Sequence, residues 1–294
     1  MASDATSQHV LLSLGHGYSA RALARLLVPQ GWRVIGTTRS PETARRLAAE
    51  GVEPAPFPPP PEALAAATHL LSAIAPDAAG DPVLRAMGPD IAARGAALAW
   101  AGYLSTTGVY GDRAGGWVDE DAPLAPATER GRARVAAEAA WLALRADSGV
   151  PVHVFRLAGI YGPGRGPFEK VRAGTARRIV KPGQVFSRIH VDDIAATLAA
   201  SIARPNPGAA YNVCDDEPAP PEDVLAYAAA LLGLPPPPAV AWEDAEMSPM
   251  ARSFYAESKR CSNRRIREEL GVRLAFPTYR EGLAAVLAAE TGAA

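Results

Sequence analysis

Cysteine is scarce. The 294 residues hold two, Cys214 and Cys261, and these form neither a metal-ligand spacing nor a disulfide framework. No uninterrupted apolar run is long enough to span a bilayer, although hydrophobic residues make up 48% of the chain. Charge of one sign is also lacking. Thirty Lys and Arg stand against 31 Asp and Glu, a net −1, so no broad basic field draws nucleic acid or an anionic membrane. Met1 to Gln8 is polar and has no apolar signal core, which makes a reducing cytoplasm the expectation. No internal repeat is visible. These absences leave a globular chain of one large domain or two, with a small molecule as the expected substrate.

What is present is organised around Gly15-His16-Gly17-Tyr18-Ser19-Ala20. The apolar run His9 to Leu14 before it reads as a strand, and Arg21 to Leu27 after it reads as an amphipathic helix. Strand, glycine turn and helix are the context of a dinucleotide fingerprint. Gly15 permits the tight turn, and Gly17 lets the backbone approach a pyrophosphate at the helix N-terminus. Ala20 is small enough for close helix–strand packing. His16, Tyr18 and Ser19 line the same turn. His16 is open to two readings, a phosphate contact or a solvent-facing loop residue.

Trp32 to Thr37 reads as the second strand, ending in Thr38-Arg39. In such a fold this end meets the adenosine ribose. An acidic residue there favours NAD, whereas Arg39 offers a planar fork of donors to a 2′-phosphate, so NADP is expected and NAD remains possible. Ser40-Pro41 opens the next helix. Strands follow at 52–57, at 69–76 and at 96–104, with a helix at 83–94. Ser72 and Ala73 belong to the cofactor edge formed by the carboxyl ends of the strands. Alternating strands and helices imply an α/β fold, a doubly wound parallel sheet.

Later segments carry a resemblance. Leu104-Ser105-Thr106-Thr107-Gly108-Val109-Tyr110-Gly111 resembles a stretch of the extended short-chain dehydrogenase/reductases, the NAD(P)-dependent epimerase/dehydratase group. So do Phe155 to Arg165, Arg188-Ile189-His190-Val191-Asp192-Asp193, and Tyr211-Asn212-Val213-Cys214-Asp215-Asp216-Glu217-Pro218. The resemblance implies a nucleotide domain at 1–165 that regains about 189–214. It also implies a smaller substrate lobe at 166–294, built mainly from 166–188 and 215–294.

The resemblance also implies a Tyr as general acid/base, a Lys four residues on, and a Ser or Thr that orients the reacting oxygen. Thr106 holds the Ser/Thr position. Counting back from Glu138 puts Arg130 at the Tyr position and Arg134 at the Lys position, and no Tyr occurs from Gly111 to Leu157. Arginine stays protonated and does not shuttle a proton, so the chain looks like an atypical member of the superfamily. Arg134 can still hold the nicotinamide ribose, and Arg130 can bind an anionic group of the substrate. Tyr110 and Tyr161 are stand-in acids, with aromatic packing as their other reading. His190 reads as structural, and Asp192 and Asp193 as helix caps.

In the last third, Lys259 and Arg260 lie in a basic cluster that suggests an anionic ligand, or a solvated basic face. Residues 247–259 read as irregular. The helices at 83–94 and 132–147, with Trp141 and Leu144, are the candidate homodimer contacts. Two functions stay open. One is an NADP-dependent oxidoreductase or epimerase on a small oxygenated substrate. The other is a non-enzymatic NADP-binding sensor.

Overall fold

In the computed structural model, which describes residues 9–292, strands and helices alternate along the first half of the chain. They are β1 (Val10–Leu14), α1 (Tyr18–Leu27), β2 (Arg33–Thr37), α2 (Pro41–Ala49), β3 (Glu53–Ala55), α3 (Pro61–Ala66), β4 (His69–Ser72), α4 (Pro82–Arg94), β5 (Trp100–Thr106), β6 (Trp117–Val118), α5 (Glu129–Ser148) and β7 (Val152–Leu157). The second half contains β8 (Gly159–Tyr161), α6 (Phe168–Arg172), β9 (Arg178–Val180), β10 (Arg188–His190), α7 (Val191–Ala203), β11 (Ala210–Val213), α8 (Pro221–Leu231), β12 (Ala239–Ala241), α9 (Pro249–Phe254), β13 (Arg260–Cys261), α10 (Arg264–Glu268) and α11 (Tyr279–Thr291).

Every residue of β1 is buried, as a parallel strand covered on both faces requires. Helix α1 buries Ala20, Leu23, Ala24 and Leu27, the spacing of one helical face. A seven-stranded sheet runs in the order β11-β7-β5-β4-β1-β2-β3, with β1 parallel to both β2 and β4. The chain first leaves β1 towards β2 and β3, then returns to β4 on the other side. Strand order therefore reverses between β1 and β4, the place where open α/β sheets bind ligands at their carboxyl ends.

The chain forms two compact units. The first takes the described chain up to Thr106, then Arg132–Arg156 and Ile194–Tyr211. Its core holds Leu12, Leu70, Ile91, Tyr103, Trp141 and Val154. The second takes Thr107–Gly131, Leu157–Asp193 and the chain from Asn212 onward. Its core packs Tyr161, Phe168, Val224, Tyr279 and Leu283, beside three parallel strand pairs. The expected division at 165 differs in three respects: residues 107–131 belong to the second unit, where β6 pairs with β13, residues 157–165 belong there too, and the segment regained by the first unit is Ile194–Tyr211 and not 189–214.

Several sequence expectations need correction. The fifth strand begins at Trp100, not Ala96, because Gly95–Ala97 makes a single 3₁₀ turn. The fourth strand stops at Ser72. Residues 247–259 are not wholly irregular: Ser248 accepts from the Ala251 N–H and Pro249 opens the short α9. Trp141 is fully buried and its indole donates to Asp81, so it is core and not a surface contact. The polar start Met1–Gln8 lies outside the described residues. Among the described residues no helix is long and apolar enough to cross a membrane, and no cluster of three metal-ligating side chains occurs.

Candidate functional site

The glycine turn joins β1 to α1 beside the reversal in strand order. Gly15 sits at φ +78°, and a methyl group on it would lie 2.6 Å from Ile74 Cγ1, just past β4. Both conditions demand glycine. Gly17 differs: it is exposed, and a methyl group on it would meet only the Gly15 carbonyl at 3.8 Å. Gly17 occupies the N-cap of α1 with no side-chain cap bond and no acidic residue in the first turn. A helix N-terminus left uncapped and facing open space is what a pyrophosphate needs, so these residues fit a dinucleotide. Tyr18 is half-buried at the start of α1, Ser19 is buried, and Ala20 packs inward.

His16 is not solvent-facing. Its ring is 4% exposed and fills the gap left by Gly36 on β2, where a methyl group would lie 2.7 Å from His16 Cγ. Neither ring nitrogen has a hydrogen-bond partner, and burial pushes the imidazole down to about 4, which keeps it neutral at pH 7. The ring therefore acts as apolar mass within the turn. Around it, Arg39 is exposed at the end of β2, Thr38 and Ala73 are half-buried, and Ser72 is fully buried.

Thr106 ends β5 in the same unit and is half-buried. Arg134, on α5, directs Nη1 to the Tyr103 hydroxyl at 3.0 Å and to the Leu104 carbonyl at 2.7 Å. One turn further along α5, Glu138 accepts from Arg156 at 2.9 Å and from the Ser105 hydroxyl at 2.5 Å. All three groups are buried. This cluster ties the helix carrying Arg134 to the strand end carrying Thr106. The sequence signal was present, since Glu138 already marked the segment, but Arg156 could not be paired with it without the fold.

The remaining candidates lie in the second unit. Tyr110 is fully buried and donates its hydroxyl to Asn212 Oδ1 at 2.7 Å. Tyr161 points its hydroxyl at the Thr278 carbonyl, 3.4 Å away, and burial raises its pKa above the ordinary phenol value. Arg130 is exposed, with its guanidinium 5.4 Å above the Phe254 ring. Lys259 donates to the Gly111 carbonyl and to Glu257, and Arg260 donates to the Gly115 carbonyl. These two cations hold a loop, and a free basic face is not what the structure shows. Asp193 is no simple helix cap, because its carboxylate accepts from the Ala275 and Phe276 N–H groups. His190 packs between Tyr161 and Phe276, and its Nδ1 accepts from the Asp192 N–H. Sequence reasoning passed over Arg188 and Asp215. Arg188 donates to the Phe186 and Ala219 carbonyls, and burial pushes the Asp215 carboxyl up to about 8 even with Arg188 nearby. A surface groove of about 520 Å³ lined by Asp216, Arg267, Arg273 and Pro277 has no comparable set of reactive groups.

Comparisons with known proteins agree with this geometry. A model of the NAD dependent epimerase/dehydratase family matches residues 92–214. A 3-diazoavenalumate denitrifying reductase from a Streptomyces species is 33% identical over 181 residues, 56% of this chain and 58% of that protein. The match thus spans little more than half of that relative. A functionally unknown conserved protein from Silicibacter pomeroyi DSS is 61% identical, with a TM-score of 0.91 over 96% of this chain and 99% of that one. MoeE5, solved with UDP-glucose and NAD, shares the fold at 21% identity, with a TM-score of 0.74 over 97% of this chain and all of that one.

Proposed function

We propose that the chain, whose residues 92–214 match a model of the NAD dependent epimerase/dehydratase family, is an NADPH-dependent reductase whose substrate accepts hydride without a tyrosine acid. The observation that carries the reading is the open N-terminus of α1 behind Gly17, with Arg39 exposed at the end of β2. The first turn of α1 would hold the pyrophosphate in the space that Gly17 leaves open, and Thr38 with Arg39 the 2′-phosphorylated ribose. The bound nicotinamide supplies the hydride. Thr106 orients the reacting group. Arg134, its Nη1 already engaged, offers its remaining guanidinium donors to the nicotinamide ribose.

In this reading none of the candidate residues supplies a proton. A guanidinium does not shuttle a proton, Tyr110 donates its hydroxyl to Asn212, and burial raises the Tyr161 hydroxyl, which is turned to a carbonyl. General acid catalysis contributes about 10²–10⁴-fold, so a substrate that depends on it should react slowly. The relative named as a denitrifying reductase supports a catalytic reading over a sensor. Hydride transferred to the carbon of an aryl diazonium cation forms the C–H bond and releases N2, and this step needs no proton. Reaction at a strongly electrophilic centre, and not at a sugar carbonyl, is therefore the expected chemistry.

The test is steady-state NADPH oxidation across nucleotide sugars, simple carbonyl compounds, conjugated enones and aryl diazonium ions. Turnover is expected on the electrophiles, surviving Tyr110→Phe and Tyr161→Phe but slowed by Thr106→Val. Fast turnover of nucleotide sugars, abolished by Tyr161→Phe, would overturn the reading.

A further inference from the structure

Adjacent residues of a strand face opposite ways, so one position near the end of β2 decides which side chain meets the glycine turn. That position is Thr37. It is 2% exposed, and its Oγ1 accepts from the Gly15 N–H at 2.7 Å. Its backbone carbonyl accepts from the His16 N–H at 3.0 Å. Two successive amides of the turn therefore end on one residue. The His16 ring, lodged against Gly36, adds a third hold from the same strand. The next amide, that of Gly17, folds back on the Gly15 carbonyl at 2.7 Å. With these donors spent, the direction in which the chain enters α1 is set by the end of β2. That strand end then continues into Thr38 and Arg39, and the Thr38 N–H is bonded to Ala55 of β3.

We infer that Thr37 is a positioning residue for dinucleotide binding, its side-chain oxygen holding the phosphate turn in register with the ribose-binding end of β2. The inference rests on the cofactor reading above. Without the hydroxyl, the half-buried Gly15 amide loses its partner, and the turn relaxes away from the pose that presents the α1 N-terminus. Valine matches threonine in shape, so Thr37→Val removes the hydrogen bond and little else. Serine restores it.

The experiment compares the unmutated protein, Thr37→Val and Thr37→Ser by calorimetric titration with NADPH, steady-state kinetics, thermal melting and amide exchange of the ligand-free protein. Thr37→Ala serves in place of valine should the latter disturb folding. Thr37→Val should raise Kd and KM for NADPH about tenfold and leave kcat within twofold, with Thr37→Ser close to the unmutated protein. Exchange at Gly15 should quicken about tenfold in Thr37→Val alone. Unchanged affinity in Thr37→Val, or Thr37→Ser as weak as valine, overturns the role. Failure of the unmutated protein to bind NADPH or NADH overturns the cofactor reading and this role with it. Unchanged exchange at Gly15 overturns the hold itself whether or not ligand binds.

Discussion

Two glycine-rich turns of this protein look alike in sequence and differ in what they leave open. Gly15-His16-Gly17 has Arg39 just past a nearby strand end, and Gly111 to Gly116 has Arg260 on β13 and Lys259 just before it. In the second turn the Arg113 and Gly115 N–H groups both donate to the Ser258 carbonyl, and Asp112 accepts from the Ser258 N–H. Lys259 and Arg260 cover the Gly111 and Gly115 carbonyls. Every feature that reads as a binding site is consumed by a loop-to-strand joint. In the first turn the internal bonds also close, but they close on β2 and leave the α1 N-terminus and Arg39 exposed. A glycine turn with nearby cations is thus a site only where its outward side keeps donors in reserve.

Substitution of the turn glycines separates the two most sharply. Gly17→Val meets nothing nearer than 3.8 Å, so the fold should stand while dinucleotide affinity falls at least about a hundredfold, because the side chain fills the pyrophosphate space. Gly111→Ala should do the reverse. At φ +71° its methyl group would lie 1.9 Å from the Ala125 carbonyl oxygen, so about 2–3 kcal/mol of stability should be lost with affinity unchanged. Paired melting curves and calorimetric titrations read both effects, and a Gly111→Ala protein of normal stability would break the contrast.

The cations come next. Arg39→Ala should remove a tenfold to hundredfold preference for NADPH over NADH, about the worth of one charge-assisted pair, and leave NADH affinity nearly unchanged. Lys259→Ala should lower the melting temperature and leave both affinities alone. Equal NADPH and NADH affinities in the unmutated protein would remove the basis for the first statement.

Acid should act on the two turns in sequence, and this is the smallest effect. His16 is held neutral by burial, with a folded pKa of about 4 against an ordinary 6.5. The unfolded chain binds the proton first, so stability is full above 6.5 and declines as pH falls towards 4. Asp112 is shifted below the usual carboxylate range by the Ser258 N–H, so its contribution is present above the ordinary value of 3.8 and lost only below it. Corrected for the intrinsic slowing of exchange in acid, amide exchange at residues 14–18 should therefore quicken about tenfold between pH 6.5 and 5, while residues 111–116 hold. Parallel quickening of both segments contradicts the assignment.

Much of this was legible from periodicity and turn chemistry. The order of strands and helices in the first half, the Ser40 cap of α2 and the strand–turn–helix around Gly15 to Ala20 depend on local rules and emerged where expected, with several strand ends trimmed. What escaped depends on partners distant in sequence. Thr38 and Arg39 were read as the residues of interest at the end of the second strand, yet Thr37, just before them, meets the turn. His16 reads as a loop residue until Gly36 on β2 is seen to leave it a gap. Lys259 and Arg260 form a basic cluster in sequence, but the carbonyls that absorb them come from residues some 145 positions earlier. Charge can be counted along a chain, whereas its satisfaction cannot.

The most direct test is the crystal structure of the protein soaked with NADPH. The account predicts the pyrophosphate over the Gly17 end of α1, the 2′-phosphate against Arg39, and no tyrosine hydroxyl within hydrogen-bonding reach of the reacting nicotinamide carbon. A pyrophosphate lodged at residues 111–116, or a saturating soak that leaves the α1 N-terminus bare, would contradict it.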